Sequence, residues 1–198
     1  LLKEVVLGRF LDMVYEKLNL NLQRISDSNL QYRGVDLIYA QAEKDLYIDE
    51  KAQLNYLNTD LPTFTFELSY LKNKYLKQGW LFDTEKRTDY YFLVTGIHVE
   101  GTELKSAKSI KSCKITSVNR AKLIEHLHLL GLSQAKLEFY NHELRKDQQF
   151  GQHIIEEISA KNGSLHFSEH LVEKPINVKL RLQYLLNQKI AKRIFPTD

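Results

Sequence analysis

The sequence predicts an α/β or α+β protein in which a mixed central β-sheet is flanked by helices. Three observations lead to this fold class: an amphipathic segment opens the chain, segments with strand-like alternation follow it, and helical periodicity returns after them. With 198 residues, the chain is expected to form a single domain spanning 1–198. We expect its core at about 1–130 and a C-terminal elaboration at about 131–198.

The first half of the chain predicts one helix followed by four strands. Apolar residues at helical spacing indicate an amphipathic helix near the start: Val6, Phe10, Met13, Val14 and Leu18. Residues 34–40 and 45–54 are two apolar runs around a polar turn, which is typical of a β-hairpin. The alternating segment 63–71 predicts a third strand, and the β-branched and aromatic segment 88–99 predicts a further one.

The second half of the chain predicts mainly helices. Ser117 is a plausible N-cap for a helix that ends at Gly131, a residue type common after helix C-termini. Residues 133–144 and 148–163 indicate further helix or loop. The segment 180–195 predicts a basic closing helix.

Composition narrows the class of protein. Hydrophobic residues make up 43% of the chain and charged residues 27%, as in ordinary globular proteins. The single cysteine, Cys113, excludes an internal disulfide framework and a cysteine-based zinc site. No apolar run reaches the ~18 residues that a membrane span needs, and no signal peptide is visible. We therefore expect a cytoplasmic protein without a membrane partner, whose net charge of +3 is compatible with a polyanionic ligand.

The hairpin carries ionisable residues that its core does not require. A turn at Gln41–Lys44 places Asp36 directly opposite Asp49, where Cβ atoms are roughly 4.5–5.5 Å apart and like charges are unfavourable. Lys51 follows Asp49 by two positions and shares its face of the strand, whereas the intervening Glu50 points to the other face. Two carboxylates held this close call for a cation between them.

This arrangement suits phosphodiester hydrolysis. Carboxylate oxygens are the ligands that Mg²⁺ prefers, and Mn²⁺ is a common substitute. Asp36 and Asp49 are the predicted metal ligands, with the backbone carbonyl of Glu50 completing the protein's share of the shell. Lys51 is the predicted catalytic ammonium, because a cation beside the attacking water neutralises charge that develops on the phosphoryl oxygens.

Gly34-x-Asp36 followed by Asp49-x-Lys51 with an apolar lead-in resembles the PD-(D/E)xK nuclease superfamily. Gln53, after the lysine, is similar to the exonuclease-like branch of that superfamily. The resemblance implies a restriction-endonuclease-like core built in the order helix, three-stranded meander, helix, strand. It also implies an auxiliary acid from the first helix, for which Glu16 or Glu4 is available.

Two features depart from the superfamily pattern. Val35 stands where the name-giving proline would be. The strand-like segment 63–71 follows the motif at the place where a crossover helix is expected, and its Glu67 is a further auxiliary candidate for orienting the lysine or the attacking water.

A second acid-x-lysine triplet competes with this assignment. Glu103 and Lys105 have Asp89 upstream of them, but they lie in a polar, loop-like stretch that lacks a strand to hold the ligands rigid. The hairpin set is therefore preferred. An ordinary surface hairpin, in which the same charges merely pair across the strands, is the structural alternative.

The basic residues indicate the substrate. The segment 105–114 contains four lysines and no acid, which predicts contacts with a nucleic-acid backbone: Lys105, Lys108, Lys111 and Lys114. The expectation is a Mg²⁺-dependent DNA endonuclease, with RNA kept as a second substrate and a homodimer as the form in which such enzymes often act. Two alternatives stay open: a catalytically inactive nucleic-acid-binding domain of the same fold, and an interaction module that binds no nucleic acid.

Overall fold

The computed structural model describes residues 2–196. Its helices are α1 (Leu2–Lys17), α2 (Ser28–Tyr32), α3 (Arg120–Leu129), α4 (Gln134–Lys146) and α5 (Leu182–Asn187), with a short 3₁₀ helix at Ala107–Ser109. Its strands are β1 (Leu22–Arg24), β2 (Leu37–Tyr39), β3 (Leu46–Ala52), β4 (Thr63–Lys72), β5 (Tyr75–Gln78), β6 (Tyr90–Val99), β7 (Ile110–Asn119), β8 (Gly151–His153), β9 (Gly163–Phe167), β10 (Ile176–Arg181) and β11 (Ala191–Phe195).

The predicted mixed α/β class is confirmed, but the strands form two sheets. A six-stranded mixed sheet has the order β1-β2-β3-β6-β7-β11, and a five-stranded sheet has the order β5-β4-β10-β9-β8. Each sheet belongs to its own compact unit. The first unit comprises the chain up to Leu61, Arg87–Asn119 and the chain from Ala191 onward, and the second comprises Pro62–Lys86 and Arg120–Ile190. The predicted boundary near residue 130 therefore coincides with no unit boundary.

The first unit is built around α1 and one face of its sheet. The helix buries Val6, Leu7, Leu11, Val14 and Tyr15, which lie on one side of an α-helix. They pack against apolar residues of the strands, among them Ile48, Phe92, Val94 and Ile115. The predicted helix is thus confirmed, although its buried side is rotated from the expected one and leaves Met13 45% exposed.

The strand order of the first sheet follows the chain closely at its start. β1, β2 and β3 form an antiparallel meander, and β6 then pairs in parallel with β3. A parallel neighbour requires a crossover connection. That connection, from Ala52 to Tyr90, contains β4 and β5 of the other sheet and no helix.

The predicted hairpin and its register are confirmed. Leu37 pairs with Ile48 and Tyr39 with Leu46, so the same register extended by one residue sets Asp36 opposite Asp49. The regular ladder ends there, because the backbone N–H of Asp36 donates to the carbonyl of Ile48 at 2.9 Å.

The second unit packs α4 against its sheet. Ser69 on β4 and Asn141 on α4 are both buried, and the Ser69 hydroxyl donates to Asn141 Oδ1 at 2.6 Å. Arg145, one turn further along α4, donates to Asn141 Oδ1 at 3.0 Å and to Ser69 Oγ at 2.7 Å. These bonds satisfy polar groups that would be costly to bury alone.

Three predicted elements of the second half differ in the structure. Ser117 is no N-cap, because it pairs with Phe92 in the sheet, and α3 begins after β7 ends. The predicted loop at 105–114 contains the first half of β7. The predicted closing helix stops at Asn187, because Lys189 adopts a left-handed backbone with φ of 56°.

The end of the predicted helix is instead strand β11, which pairs with β7. The segment 148–163, predicted as helix or loop, is loop apart from the short strand β8 and the first residue of β9. Over residues 2–196, no helix combines the length and apolar character required to traverse a membrane.

Candidate carboxylate–lysine site

The site lies where the β2–β3 ladder ends in the first unit. Gly34 adopts a φ of 71°, a left-handed conformation that glycine takes without steric cost, and it carries the chain from α2 into β2. Thr88 fixes this turn by donating from its hydroxyl to the carbonyl of Gly34 at 2.8 Å. Asp36 follows two residues later and faces Asp49 across the hairpin. The glycine of the Gly34-x-Asp36 pattern thus has a backbone role.

Lys51 completes the predicted trio. Its Nζ lies 2.7 Å from Oδ1 of Asp49, and strand alternation puts both side chains on one face of β3. Asp49 is 2% exposed, whereas the Lys51 side chain is 32% exposed. The structure therefore brings together Asp36, Asp49 and Lys51. The Asp49 carboxylate is buried, whereas the Lys51 ammonium that contacts it is partly exposed to solvent.

Glu50 forms hydrogen bonds to Asp36 through its backbone and to residues on the opposite face of the sheet through its side chain. Its backbone N–H donates to Oδ2 of Asp36 at 2.9 Å. The N–H and C=O of one strand residue point to the same side of the strand, so the Glu50 carbonyl is directed toward the Asp36 side. Its side chain points to the opposite face, where it accepts a hydrogen bond from Tyr15 of α1 at 2.6 Å and forms an ion pair with Arg24 of β1.

The two carboxyl groups strongly influence each other. Burial raises the pKa of Asp36 to about 7, and the charge of Asp49 together with a hydrogen bond between the two side chains adds to this effect. The backbone N–H of Glu50 and the ammonium of Lys51 oppose the shift. Burial and the neighbouring carboxyl group thus both favour the protonated form of Asp36.

The donor set fits a hard divalent cation. Asp36 and Asp49 supply carboxylate oxygens. Burial first, and then the negative charge of Asp49, raise the pKa of Asp36, and a bound cation would offset both effects. Mg²⁺ is usually bound by one or two carboxylates plus water and substrate phosphate. Within residues 2–196, no group of three or more His, Cys, Asp or Glu side chains forms a metal cage. A divalent cation at Asp36 and Asp49 would therefore have two protein carboxylates and would need water or phosphate oxygens for the rest of its shell.

The auxiliary candidates are dispersed. Gln53 follows β3 directly, donates from its backbone N–H to the carbonyl of Val94 at 3.0 Å and shares the face of Lys51 by alternation. Glu16 is exposed on α1, the helix whose Tyr15 contacts the opposite face of the sheet, and Glu4 lies further along the same helix. Glu67 lies on β4 in the second unit, opposite Asn177 of β10.

Three of the four predicted backbone-binding lysines have acidic partners. Lys105 pairs with Glu103 at 3.5 Å, Lys111 with Glu100 at 3.3 Å, and Lys114 forms an ion pair with Asp60. Lys108 lies in the 3₁₀ helix that precedes β7. The sequence run contains no acid, but folding surrounds it with acids from elsewhere in the first unit and lowers its local positive charge.

The competing triplet is not assembled. Asp89 lies just before β6, and Glu103 and Lys105 lie beyond its far end, so the ten-residue strand separates them. At 3.2–3.4 Å per residue this amounts to roughly 30 Å. Asp89 instead accepts from Lys44 at 3.0 Å and from the backbone N–H of Tyr47 at 2.9 Å. Its role is to hold the hairpin.

The sequence did not predict the ion pair between Arg24 and Glu50, which lies on the opposite face of the sheet from Asp36; we call this ion pair the anchor. Arg24 donates from Nε to Asp12 at 2.8 Å and pairs through its other nitrogens with Glu50. The Glu50 side chain is 12% exposed, which is unusual for a glutamate without a cationic partner. Arg24 and Glu50 are distant in sequence, so only the alternation that turns Glu50 away from Asp49 hinted at a partner there.

Comparisons of the chain with protein-family models, with curated proteins and with solved structures found no match. The resemblance to PD-(D/E)xK nucleases therefore rests on residues 34–53 and on the order of the elements around them.

Proposed function

We propose that this protein is a metal-dependent nuclease that hydrolyses phosphodiester bonds of DNA. The observation that carries the proposal is the convergence of Asp36, Asp49 and Lys51 on one face of adjacent strands, with Lys51 Nζ 2.7 Å from Asp49 Oδ1. Two crowded carboxylates with an adjacent ammonium match the chemical requirements of phosphoryl transfer to water.

The order of elements in the first unit supports the same proposal. The resemblance implies the order helix, three-stranded meander, helix, strand. The first unit contains α1, the antiparallel meander β1-β2-β3 and then β6, which is parallel to β3. The crossover made of strands instead of a helix is the departure. It leaves β3 next to a parallel β6, and this pairing fixes the backbone from Ile48 to Ala52.

Each residue of the trio has a distinct task. Asp36 and Asp49 would hold Mg²⁺ or Mn²⁺ together with the carbonyl of Glu50. When bound, such an ion polarises the scissile phosphate and lowers the pKa of a coordinated water. Lys51 is anchored at Asp49 and one-third exposed, so its ammonium is placed to orient the attacking water and to neutralise charge on the phosphate oxygens. Glu50 keeps Asp36 in place through its backbone N–H.

Incubation of the purified protein with supercoiled plasmid and Mg²⁺ or Mn²⁺ tests the proposal. Wild type is expected to nick or linearise the plasmid, whereas Asp36→Ala, Asp49→Ala and Lys51→Ala are each expected to lower the rate at least ~100-fold. Lys44→Ala is the matched control, because Lys44 forms an ion pair with Asp89 beside the same hairpin. It should leave cleavage within about twofold of wild type.

Two results would overturn the proposal. One is an absence of metal-dependent cleavage of plasmid, linear duplex, single-stranded DNA and RNA by folded wild type. The other is cleavage that survives all three substitutions, which would place the activity elsewhere or in a contaminant. RNA as the better substrate would change the substrate class but not the site.

A further inference from the structure

One face of the five-stranded sheet in the second unit is polar. Cross-strand pairs place Gln152 beside His166, His166 beside Asn177, and Lys179 beside Ser164, so all five side chains share a face. We call this set, Gln152, Ser164, His166, Asn177 and Lys179, the polar cluster. The other face carries the buried apolar residues of the same strands, for example Leu165 and Val178.

A hydrogen bond spans the middle strand of this face. Lys179 Nζ on β10 donates to Gln152 Oε1 on β8 at 2.9 Å. Because β9 lies between these strands, the bond crosses over β9. Ser164 and His166 are alternate residues of β9 on the same face, so the lysine side chain lies above them.

Two polar atoms beneath this bridge lack a hydrogen bond. Ser164 is 1% exposed and its Oγ has no hydrogen-bond partner. Nδ1 of His166 is likewise buried without a partner. A buried donor or acceptor without a partner is energetically costly, so each of these two atoms calls for an explanation, such as a bound ion or ligand.

Two basic side chains, Lys179 and Arg181, lie on the same face as His166. Burial lowers the pKa of His166, and the charges of Lys179 and His153 lower it further. Arg181 follows Lys179 on the same face by alternation and is exposed. Glu67, opposite Asn177, places an acidic residue on the same face.

We propose that Ser164, His166 and Lys179 form a binding site for a phosphate group. The hydroxyl of Ser164, an imidazole N–H of His166 and the ammonium of Lys179 are all hydrogen-bond donors, and phosphate accepts several such bonds. Asn177 adds amide donors next to His166. Lys179 exchanges its bond to the neutral Gln152 amide for an ion pair with the phosphate, which uncovers the two donors beneath it.

The site takes the phosphate of a nucleic-acid backbone or a free phosphate, because both present the same oxygens. It contains none of the residues of the carboxylate–lysine site, so it stands or falls separately from the proposed hydrolysis. Its location in the second unit would give that unit a binding role of its own.

Titration of the full-length protein with inorganic phosphate, followed by NMR of the histidine ring signals, tests this inference. The ring signals and the pKa of His166 are expected to shift, the pKa upward, because a bound anion favours the imidazolium. A parallel titration with oligothymidylate distinguishes the two sources. Saturation by phosphate alone identifies a small phosphate ligand, whereas tighter binding of the oligonucleotide at the same ring identifies the backbone.

Substitutions make the test specific. Lys179→Gln and Ser164→Ala are each expected to weaken binding by about tenfold or more, whereas Lys179→Arg should retain it within a few-fold because it keeps the charge. Lys77→Gln, a lysine on β5 of the same sheet, is the matched control and should leave binding unchanged. Thermal unfolding of each variant establishes that it is folded before its binding is compared.

Unchanged His166 signals in folded wild type at saturating phosphate and oligonucleotide would overturn the inference. So would Lys179→Gln and Ser164→Ala variants that bind as tightly as wild type. In either case the cluster would be a solvated sheet face with a lysine lying across it.

Discussion

The backbone N–H of Glu50 donates to Oδ2 of Asp36 at 2.9 Å, while the Glu50 carboxylate accepts from Tyr15 and Arg24 on the other face of the sheet. One residue thereby connects α1 and β1 to the carboxylate that defines the candidate site. The position of Asp36 therefore depends on side-chain contacts made on the face of the sheet opposite the candidate site.

Stability measurements can test this anchor. Arg24→Ala leaves the largely buried Glu50 carboxylate without its cation and should lower the free energy of unfolding by roughly 1–3 kcal/mol. Tyr15→Phe removes one hydrogen bond and should cost about 1 kcal/mol. Arg9→Ala, at an exposed position of the same helix, should remain within about 0.5 kcal/mol of wild type in urea unfolding. Equal effects of all three substitutions would contradict the anchor.

The carboxylate pair predicts an unusual pH dependence of the metal-free protein. The pKa of Asp36 is raised to about 7 in the folded state from about 3.9 in the unfolded chain. A raised pKa means that the folded protein binds the extra proton, so this contribution is present in full below about pH 4 and is lost as the pH rises through about 7. Asp36→Asn should therefore become progressively more stable than wild type between pH 5 and pH 8.

Urea unfolding in EDTA at several pH values measures this difference. The expected gain at pH 8 is on the order of 1–4 kcal/mol, because each pKa unit corresponds to about 1.4 kcal/mol. A difference between wild type and Asp36→Asn that does not vary with pH would show that Asp36 is not the group concerned.

Metal binding should offset the destabilisation that ionised Asp36 causes in the metal-free protein. At a concentration 100 times its dissociation constant, a ligand that binds only the folded state stabilises it by about 2.7 kcal/mol. We therefore expect Mg²⁺ or Mn²⁺ to raise the Tm of wild type at pH 8 more than at pH 5, where protons compete for Asp36. Calorimetry in Ca²⁺-free buffer, with Asp49→Asn as the site variant and Lys44→Ala as the control, separates metal binding at the site from general effects of ions on Tm. An equal rise in Tm for wild type and Asp49→Asn would exclude the pair as the metal site.

The basic segment predicts a graded response to substitution in DNA binding. Each phosphate contact contributes about 0.9 to the slope of log affinity against log salt for duplex DNA. If the segment contacts DNA, Lys108→Ala should reduce this slope by about 1. Lys114→Ala should reduce it less, because Asp60 already neutralises Lys114.

Substitution of Asp60, the acidic partner of Lys114, should have the opposite effect on DNA binding. Asp60→Asn should increase the affinity, because it releases the Lys114 ammonium for the backbone. Fluorescence anisotropy at several salt concentrations measures both effects. Identical salt slopes for wild type and all of these variants would remove the segment from the DNA interface.

Cys113 should react slowly with alkylating reagents in the native protein. Its thiol is buried, and burial raises its pKa to about 12, so little thiolate is present at neutral pH. Iodoacetamide labelling followed by mass spectrometry should give rapid modification only in denaturant. Fast labelling under native conditions would indicate frequent opening of the first unit around β7.

The hairpin and its register were predictable because they depend on neighbouring residues. Alternation in 34–54 fixes which side chains face each other, so Asp36, Asp49 and Lys51 could be placed on one face before the fold was known. The division into two sheets was not predictable. The alternation in β4 is the same whichever sheet the strand joins, and its partners β5 and β10 are chosen by packing between distant parts of the chain.

The wrong secondary-structure predictions also arise from pairing between distant parts of the chain. Lys111, Ser112 and Lys114 make the first half of β7 look like a polar loop, but this segment is a strand paired with β6, and its second half also pairs with β11. Leucines and basic residues near the end of the chain fit a helical period, but pairing with β7 turns the last part into a strand. The Arg24–Glu50 ion pair joins two strands that are not neighbours in the sheet, so no local sequence pattern predicts it.

The pairing of β11 with β7 also constrains how the molecule is made. On the ribosome, β7 emerges long before β11, and all of residues 120–190 must be translated in between. During that interval β7 is an open edge that a strand from another nascent chain can occupy. Slower elongation across the 120–190 coding region would lengthen this exposure and is expected to lower the yield of native molecules.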